Sequence, residues 1–464
     1  MEDPHLPPIR SSNVVHKQSE LLKPPNVAAT KHGEKKGSKE DAAASPSRLA
    51  AASPLTPSSA TEASPAPTIL RGPLKEELVE KALKYMPSVL DPDDTSFDRM
   101  ICPPIDKFRY FHLKPSKRET KQKYFFALNL RQCVDLLPRL MSSVLEAIQF
   151  LGPEHCALSI IEGNSNDGTL EVLELLKEEL DRMGTPYFLR RSELNPGAGE
   201  RIERLAALRA MAVEPITGVV IPEEDDANST DTAETASPPI KLDLAPGATV
   251  LFLNDVAACA EDILELAHQR IRQGADMTCA MDWTHPGNGT PYFYDVWIAR
   301  TLGGDTFFDI PNGTGSWDHA THLFPWEPVT RARLAAGLPF QVFACWNGAV
   351  AFVAAPVADG DVRFRSAGKG ECFQGEPQLF CKDMWYRGRG RIAVVPSVNL
   401  QYTDALGRRV KGEKGYVSDW VGKEGKAGVP PLHIDWKLEP PAMVKCMPLF
   451  HTQSWLPWNE SLPQ

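Results

Sequence analysis

Carboxylates in this sequence recur in short segments that each follow a run of strand-forming residues. Glu162-Gly163-Asn164-Ser165-Asn166-Asp167-Gly168-Thr169 follows Ala157–Ile161, Asn254-Asp255-Val256 follows Thr249–Leu253, and Asp282-Trp283 follows Met277–Met281. Open parallel sheets bind ligands beyond the carboxyl ends of their strands, so side chains at those positions are the ones placed to do chemistry. Glu162 or Asp167 can hold a base or a ribose, and the small residues between them let the backbone approach a ligand. The same octapeptide also reads as a plain turn with Asn and Asp as helix caps, the better reading of those residues alone. Asp255 can hold a divalent cation that bridges a diphosphate; a helix-capping role has an equal claim. Asn129 ends the first strand, Tyr124–Leu128, at the same edge.

Aromatic rings stand beside further acids. Tyr292-Phe293-Tyr294-Asp295-Val296-Trp297-Ile298-Ala299-Arg300 suits a sugar, whose C–H face stacks on rings while carboxylates accept its hydroxyl protons. Its competing reading is aromatic packing with an Asp295–Arg300 ion pair. Cys345-Trp346-Asn347-Gly348 is open in the same two ways. Glu371 and Glu376 precede Leu379–Trp385 and a late strand at Arg391–Val395. Glu371 reads as an exposed loop charge and Glu376 as a functional acid.

The elements that must carry these residues alternate. Leu137, Leu140, Val144 and Ile148 have helical spacing, as do Leu170, Leu173, Leu176 and Leu180. A shorter strand at Pro186–Leu189 precedes a helix from Arg201 to Ala212, on which Arg201 and Arg204 can face phosphates. A helix from Ile263 to Ile271 then precedes Met277–Met281. Repeated β-α units predict an α/β fold with a mainly parallel sheet flanked by helices. Further strands are expected at Gln341–Ala344 and Ala349–Val353.

Residues 1–72, rich in Pro, Ala, Ser and Lys, read as disordered. A lead-in over 73–120, with Leu74, Leu78 and Ala82 on one helical face, packs on a catalytic domain over 121–404. An acidic insertion over 222–242 interrupts that domain and reads as a disordered loop. Residues 405–464 read as an extended C-terminal tail.

The formal net charge of −10 argues against nucleic acid as the main partner. No GxGxxG or Walker A lysine is present, which disfavours dinucleotide enzymes and P-loop ATPases. Nine cysteines form no CxxC pair, and their spacing suits neither a zinc ribbon nor a small disulfide scaffold; an odd count leaves at least one thiol free or paired between chains. Sequons at Asn228, Asn288, Asn312 and Asn459 are weak pointers to a secretory location. No run of 18 apolar residues predicts a membrane span, and the first 30 residues lack the apolar core of a signal peptide.

Taken together, over roughly residues 75–405, these segments resemble the fungal capsule-associated α-1,3-mannosyltransferases, the cryptococcal mannosyltransferase family. The resemblance rests on Ile101-Cys102-Pro103, the Glu162–Thr169 loop, Leu251–Val256, Asp282, Tyr294-Asp295-Val296-Trp297 through Arg300, and Glu376 with Cys381-Lys382-Asp383. It implies a GT-A-type glycosyltransferase fold, a GDP-mannose donor, a mannose-containing glycan acceptor and a divalent metal, with manganese the expected ion. Transfer would form an α-1,3 linkage with retention. Asp255 would touch the metal; Asn129, Glu162, Asp167, Arg201, Arg204, Asn254 and Asp282 would hold the donor; Glu376, Asp295 and Asp383 would be catalytic. A Golgi or secretory-lumen location follows from the same resemblance.

Two departures stand out. Many GT-A enzymes carry Asp-x-Asp, where Asn254-Asp255-Val256 supplies one carboxylate. Many also place a metal-binding His after the last strand, where Asn399-Leu400-Gln401-Tyr402 stands. Family members usually have an N-terminal membrane anchor; its absence here points to a truncated gene, unconventional targeting or a cytosolic variant. Two rivals remain. A sugar nucleotidyltransferase would open with a Gly-rich loop after the first strand, but Asn129-Leu130-Arg131-Gln132 has no Gly. A catalytically inactive carbohydrate-binding or scaffold protein is permitted by the missing second acid.

Overall fold

The computed structural model describes residues 76–116, 118–197, 199–222, 241–286, 289–424, 426 and 430–463. The stretch 1–72 and nearly all of the acidic insertion lie outside the described residues.

Ten strands form one mixed sheet. In chain order they are β1 (Gln122–Leu130), β2 (Cys156–Glu162), β3 (Tyr187–Arg191), β4 (Leu244–Leu253), β5 (Met277–Thr284), β6 (Tyr292–Phe293), β7 (Arg300–Thr301), β8 (Phe340–Ala344), β9 (Ala349–Val353) and β10 (Ile392–Leu400). Their spatial order is β3-β2-β1-β4-β9-β5-β10-β8-β7, with β6 added beside β5. β1 to β4 pair in parallel, as do β5 and β10. β9 lies antiparallel between β4 and β5, so those two strands still point the same way. The carboxyl ends of six strands therefore share one edge, the edge that binds ligands in such sheets.

Burial on both faces explains the unbroken apolar runs. Along β1, Tyr124, Phe126 and Leu128 enter one core while Phe125 and Ala127 enter the other. The first core is closed by α1 (Glu76–Leu90), α2 (Leu137–Leu151), α3 (Thr169–Met183) and α5 (Ala260–Arg272). The second is covered by α4 (Arg201–Ala212) and α7 (Glu376–Tyr386), with α6 (Pro328–Ala335) packed against β8.

One expectation is corrected here. The C-terminal part is not an extended tail: it holds α8 (Asp404–Lys414), α9 (Val417–Val421) and an antiparallel hairpin of β11 (Met443–Leu449) and β12 (Thr452–Pro457). Six of the nine cysteines pair, as Cys102–Cys259, Cys279–Cys345 and Cys372–Cys446. Cys133, Cys156 and Cys381 are buried thiols. The pairs are 157, 66 and 74 residues apart in sequence, so tertiary folding brings them together.

Candidate active site

β5 ends in the site's most deeply buried acid. Asp282 is fully buried, accepting the Tyr402 hydroxyl at 2.6 Å on one carboxylate oxygen and the Asp295 N–H at 3.3 Å on the other. Burial, and the Asp295 charge beside it, push Asp282 well above the usual carboxylate range. Asp295 is half-buried and accepts the Asn347 N–H at 2.9 Å. Burial raises it too, against the opposing pull of that N–H and of the Arg209 and Arg300 guanidiniums. Both carboxyls are thus harder to ionise than exposed acids.

The 345–348 strap fixes this geometry. Asn347 sits in the left-handed region (φ 55°) and its side-chain amide donates to the Ala280 carbonyl at 2.8 Å, so its N–H is aimed at Asp295. Gly348, at φ 84°, follows; a Cβ there would stand 3.1 Å from Val256 and 3.5 Å from the Asp282 Cβ. Its carbonyl accepts the Asn254 N–H at 2.9 Å, and the Trp346 indole N–H reaches the Asn254 side chain at 3.2 Å. One short strap therefore ties the Asn254–Asp255 segment to the Asp282–Asp295 pair. The Cys279–Cys345 disulfide anchors it to β5.

Glu376 is the first residue of α7 and is almost wholly buried, in an ion pair with Arg209. A helix N-terminus favours a negative side chain. Arg209 lies near the end of α4, its guanidinium 5.0 Å from the Trp346 ring centroid and 6.0 Å from that of Phe252. Burial pulls it down to about 10, with Asp295 and Tyr402 opposing the fall. Gly375 lets α7 approach: a Cβ there would meet the Ile298 side chain at 2.2 Å.

Tyr294 gathers the rest. Its phenol is raised by burial and by the charges of Asp282, Asp295 and Asp255, and lowered by Arg201. The charges of four of the expected site residues thus act on one hydroxyl group. Tyr294 also packs against Tyr402, ring centroids 5.1 Å apart.

Other expected residues have different partners. The Asp167 carboxylate accepts the Thr169 N–H at 3.0 Å, the Thr169 hydroxyl at 2.7 Å and the Val134 N–H at 3.0 Å, which is helix capping and loop bracing. Glu162 is fully buried; one oxygen accepts the Ser165 N–H at 2.8 Å, and the other has no partner among the described residues. Burial raises its carboxyl above the usual range. Asn129, in the amide orientation that satisfies its neighbours, donates to the Leu208 carbonyl at 3.2 Å and accepts the Arg209 N–H at 3.3 Å, so it positions α4. Arg204 donates to the Asn195 carbonyl at 3.2 Å.

Asp383 forms a bidentate pair with Arg365 at 2.7 and 2.8 Å. Arg365 also binds Glu371, which takes Lys382 at 2.6 Å and the Gly368 N–H at 2.8 Å. Glu371 is therefore not an exposed loop charge: its side chain is 2% exposed, and these partners hold it down at about 2 against the opposing effect of burial. Nor does Arg300 pair with Asp295. It is fully buried and donates to the carbonyls of Lys445, Val296, Trp297 and Ala299 and to the Gln374 side chain.

The family described as Cryptococcal mannosyltransferase 1 matches residues 123–383. Alpha-1,3-mannosyltransferase CMT1 of Cryptococcus neoformans var. neoformans serotype D (strain JEC21 / ATCC MYA-565) is 35% identical over 412 residues, 83% of this chain and 80% of that protein. The chain belongs to the cryptococcal mannosyltransferase family. It is a glycosyltransferase with an α/β fold, a mixed sheet flanked by helices. Solved structures with distant likeness include S. aureus TarS 1-349 (13% identical, TM-score 0.32, 66% of this chain and 73% of that one). Another is mannosyltransferase PcManGT from Pyrobaculum calidifontis in complex with GDP-Man and Mn2+ (9% identical, TM-score 0.33, 73% and 71%).

In this cryptococcal-type mannosyltransferase two contributors were given no role by the sequence, Arg209 and Tyr402, and a third, Asn347, was named only within an ambiguous tetrapeptide. Arg209 had a signal, since it lies eight residues after Arg201 and so near the same helical face. Asn347 acts through a backbone N–H in a conformation the sequence does not announce. Tyr402 occupies the region where a metal-binding His was sought.

Proposed function

We propose that this enzyme transfers mannose from GDP-mannose to a mannose-containing glycan acceptor, forming an α-1,3 linkage with retention. The observation that carries the reading is the 345–348 strap, which ties the Asn254–Asp255 segment to the Asp282–Asp295 pair at the sheet edge where such folds bind ligands. The family and its Cryptococcus relative support the sugar and the linkage.

Among the described residues, no three His, Cys, Asp or Glu side chains are grouped to hold an ion. Asp255 is the residue that would hold a divalent cation here. When bound, such an ion offsets the charge that grows on the departing diphosphate. Arg201, whose charge burial disfavours, gains from an anionic neighbour and faces the phosphates in this reading. Asn254, Asp282 and Asp295 border the sugar.

Retention requires a carboxylate nucleophile or front-face attack assisted by the leaving phosphate. Glu376, paired with Arg209, is the acid we assign as nucleophile or acceptor-orienting base. Asp295 accepts an acceptor hydroxyl proton. Asp383, tied to Arg365, acts by bracing α7.

Glu162 supports guanine as the base. Its orphaned oxygen costs on the order of 1–3 kcal/mol while unpaired, a cost that a guanine N–H removes once the 163–166 turn moves aside. The three disulfides support maturation in an oxidising lumen such as the Golgi. No helix among the described residues is long and apolar enough to cross a membrane.

The test is turnover of GDP-mannose, UDP-glucose and CMP-sialic acid by purified protein with manganese, with the product linkage read by NMR. GDP-mannose should be consumed and an α-1,3 mannoside formed. Binding of GDP without turnover would leave a carbohydrate-binding protein, and preference for a UDP sugar would reassign the donor.

A further inference from the structure

The lead-in carries a second surface, unrelated to the site. From Lys107 to Arg118 the sequence holds five Lys or Arg and no Asp or Glu, in a chain whose net charge is −10. The chain turns tightly here: the Phe111 N–H is bonded to the Phe108 carbonyl, and a 3-10 turn spans Phe111–Leu113. A three-residue period puts Tyr110 and Leu113 inside and Phe108 and Phe111 outside. Phe108 is 96% exposed and Phe111 71%.

The nearby acids are occupied. Asp106 accepts the N–H groups of Phe108 and Arg109, and Glu265 and Glu424 bind Arg109. Lys107, His112, Lys114 and Arg118 are exposed, and none is ion-paired among the described residues. Lys114 lies over the Phe150 ring at 4.6 Å.

We infer that this patch docks the enzyme on an anionic lipid bilayer, with Phe108 and Phe111 entering the headgroup boundary and the basic side chains meeting lipid phosphates. Rings flanked by cations on a rigid turn are what an interfacial anchor requires. The chain's own first 75 residues are poor cover: they hold ten Lys or Arg against seven Asp or Glu, and no Phe, Tyr or Trp.

Position fits this role. The Leu113 carbonyl accepts the Tyr124 hydroxyl near the start of β1, and Tyr110 packs on Phe150 and His268, late in α2 and α5. Asp106 meets Glu261 at the start of α5, so the patch runs along the α5 flank towards the amino edge of the sheet, and the site stays open to a soluble donor when the protein is docked.

Co-sedimentation of the full chain with vesicles tests this. Vesicles of about one-third phosphatidylserine should bind at least about ten-fold more protein than pure phosphatidylcholine, with binding falling as salt rises. Phe108→Ser with Phe111→Ser should lose about five-fold or more of that binding, with turnover on soluble substrates unchanged. Should that pair fold poorly, Lys107→Glu with Lys114→Glu gives the same reading through charge. Unchanged binding by both variants overturns the proposal, as does equal binding to neutral vesicles. A dimer that sedimentation velocity shows in wild type and not in the Phe variant also overturns it, and assigns the patch to a second copy of the chain.

Discussion

Two acidic clusters lie on either side of the start of α7, and they are built on opposite principles. Around Glu371 and Asp383 each carboxylate has cationic partners: Arg365 serves both, and Lys382 serves Glu371. Glu371 is held down at about 2 as a result. Asp282 and Asp295 instead share a neighbourhood in which burial outweighs the available cations, and both are pushed up. The Glu371–Asp383 cluster, satisfied by its own chain, does structural work. A carboxylate left short of partners is poised for a ligand or a proton, which is where perturbed acids in functional sites are found.

The sharpest way to break this contrast is to neutralise one acid from each cluster. Asp295→Asn should lower kcat by roughly 10³-fold while the melting temperature holds or rises, since an isostere without charge relieves the buried site. A melting temperature that fell in step with activity would show that Asp295 is structural. Glu376→Gln should lower kcat by about 10²-fold with donor affinity within about two-fold of wild type, because an interaction made mainly in the transition state does not show in ground-state binding. Calorimetry with GDP-mannose beside steady-state rates separates the two.

Glu371→Gln should do the reverse. Removing one partner of a buried ion-paired knot costs about 2–3 kcal/mol, discounted because Arg365 keeps some contact with water. Turnover per folded molecule should be unchanged, which urea titration followed by rate measurements on the native fraction will show.

Acid sensitivity refines the comparison. Asp295 is needed ionised, so activity should fall as pH drops through about 6. Arg209→Gln removes a guanidinium that pulls that value down, so the midpoint of the pH–rate profile should move up.

The smallest effect lies in stability against pH. Glu371, depressed when folded, contributes stability that is present above its ordinary value of 4.5 and is lost as pH falls towards about 2. Asp282, raised when folded, binds its proton more tightly in the native state, so stability drops as pH rises above 3.8. Melting curves of Asp282→Asn should lack that drop, and those of Glu371→Gln should lack the acid loss.

The sheet and its loaded edge were legible because strands buried on both faces leave unbroken apolar runs. The residues just after them could then be named: Asp282 accepts the Asp295 N–H, and the 345–348 strap ties the Asn254–Asp255 segment to that pair. What stayed hidden depends on contacts between distant segments. Glu371 reads as solvated until Arg365 and Lys382 are placed beside it. Asp167 and Glu162 stand in one octapeptide, yet folding gives every Asp167 oxygen a partner and leaves one Glu162 oxygen without. The α8 helix escaped notice because its buried positions are Gly407, Val410 and Lys411, too few apolar residues to set a period.

Gly375 has a further consequence. The contact it permits with Ile298 brings the backbone carrying Glu376 hard against the loop carrying Asp295. The gap between the two acids is therefore gauged by a missing methyl group, not by adjustable side chains. Protein engineers who want another linkage from this scaffold will gain little by sliding α7. The adjustable parts are the side chains that line the gap, and position 375 is best kept constant in any library.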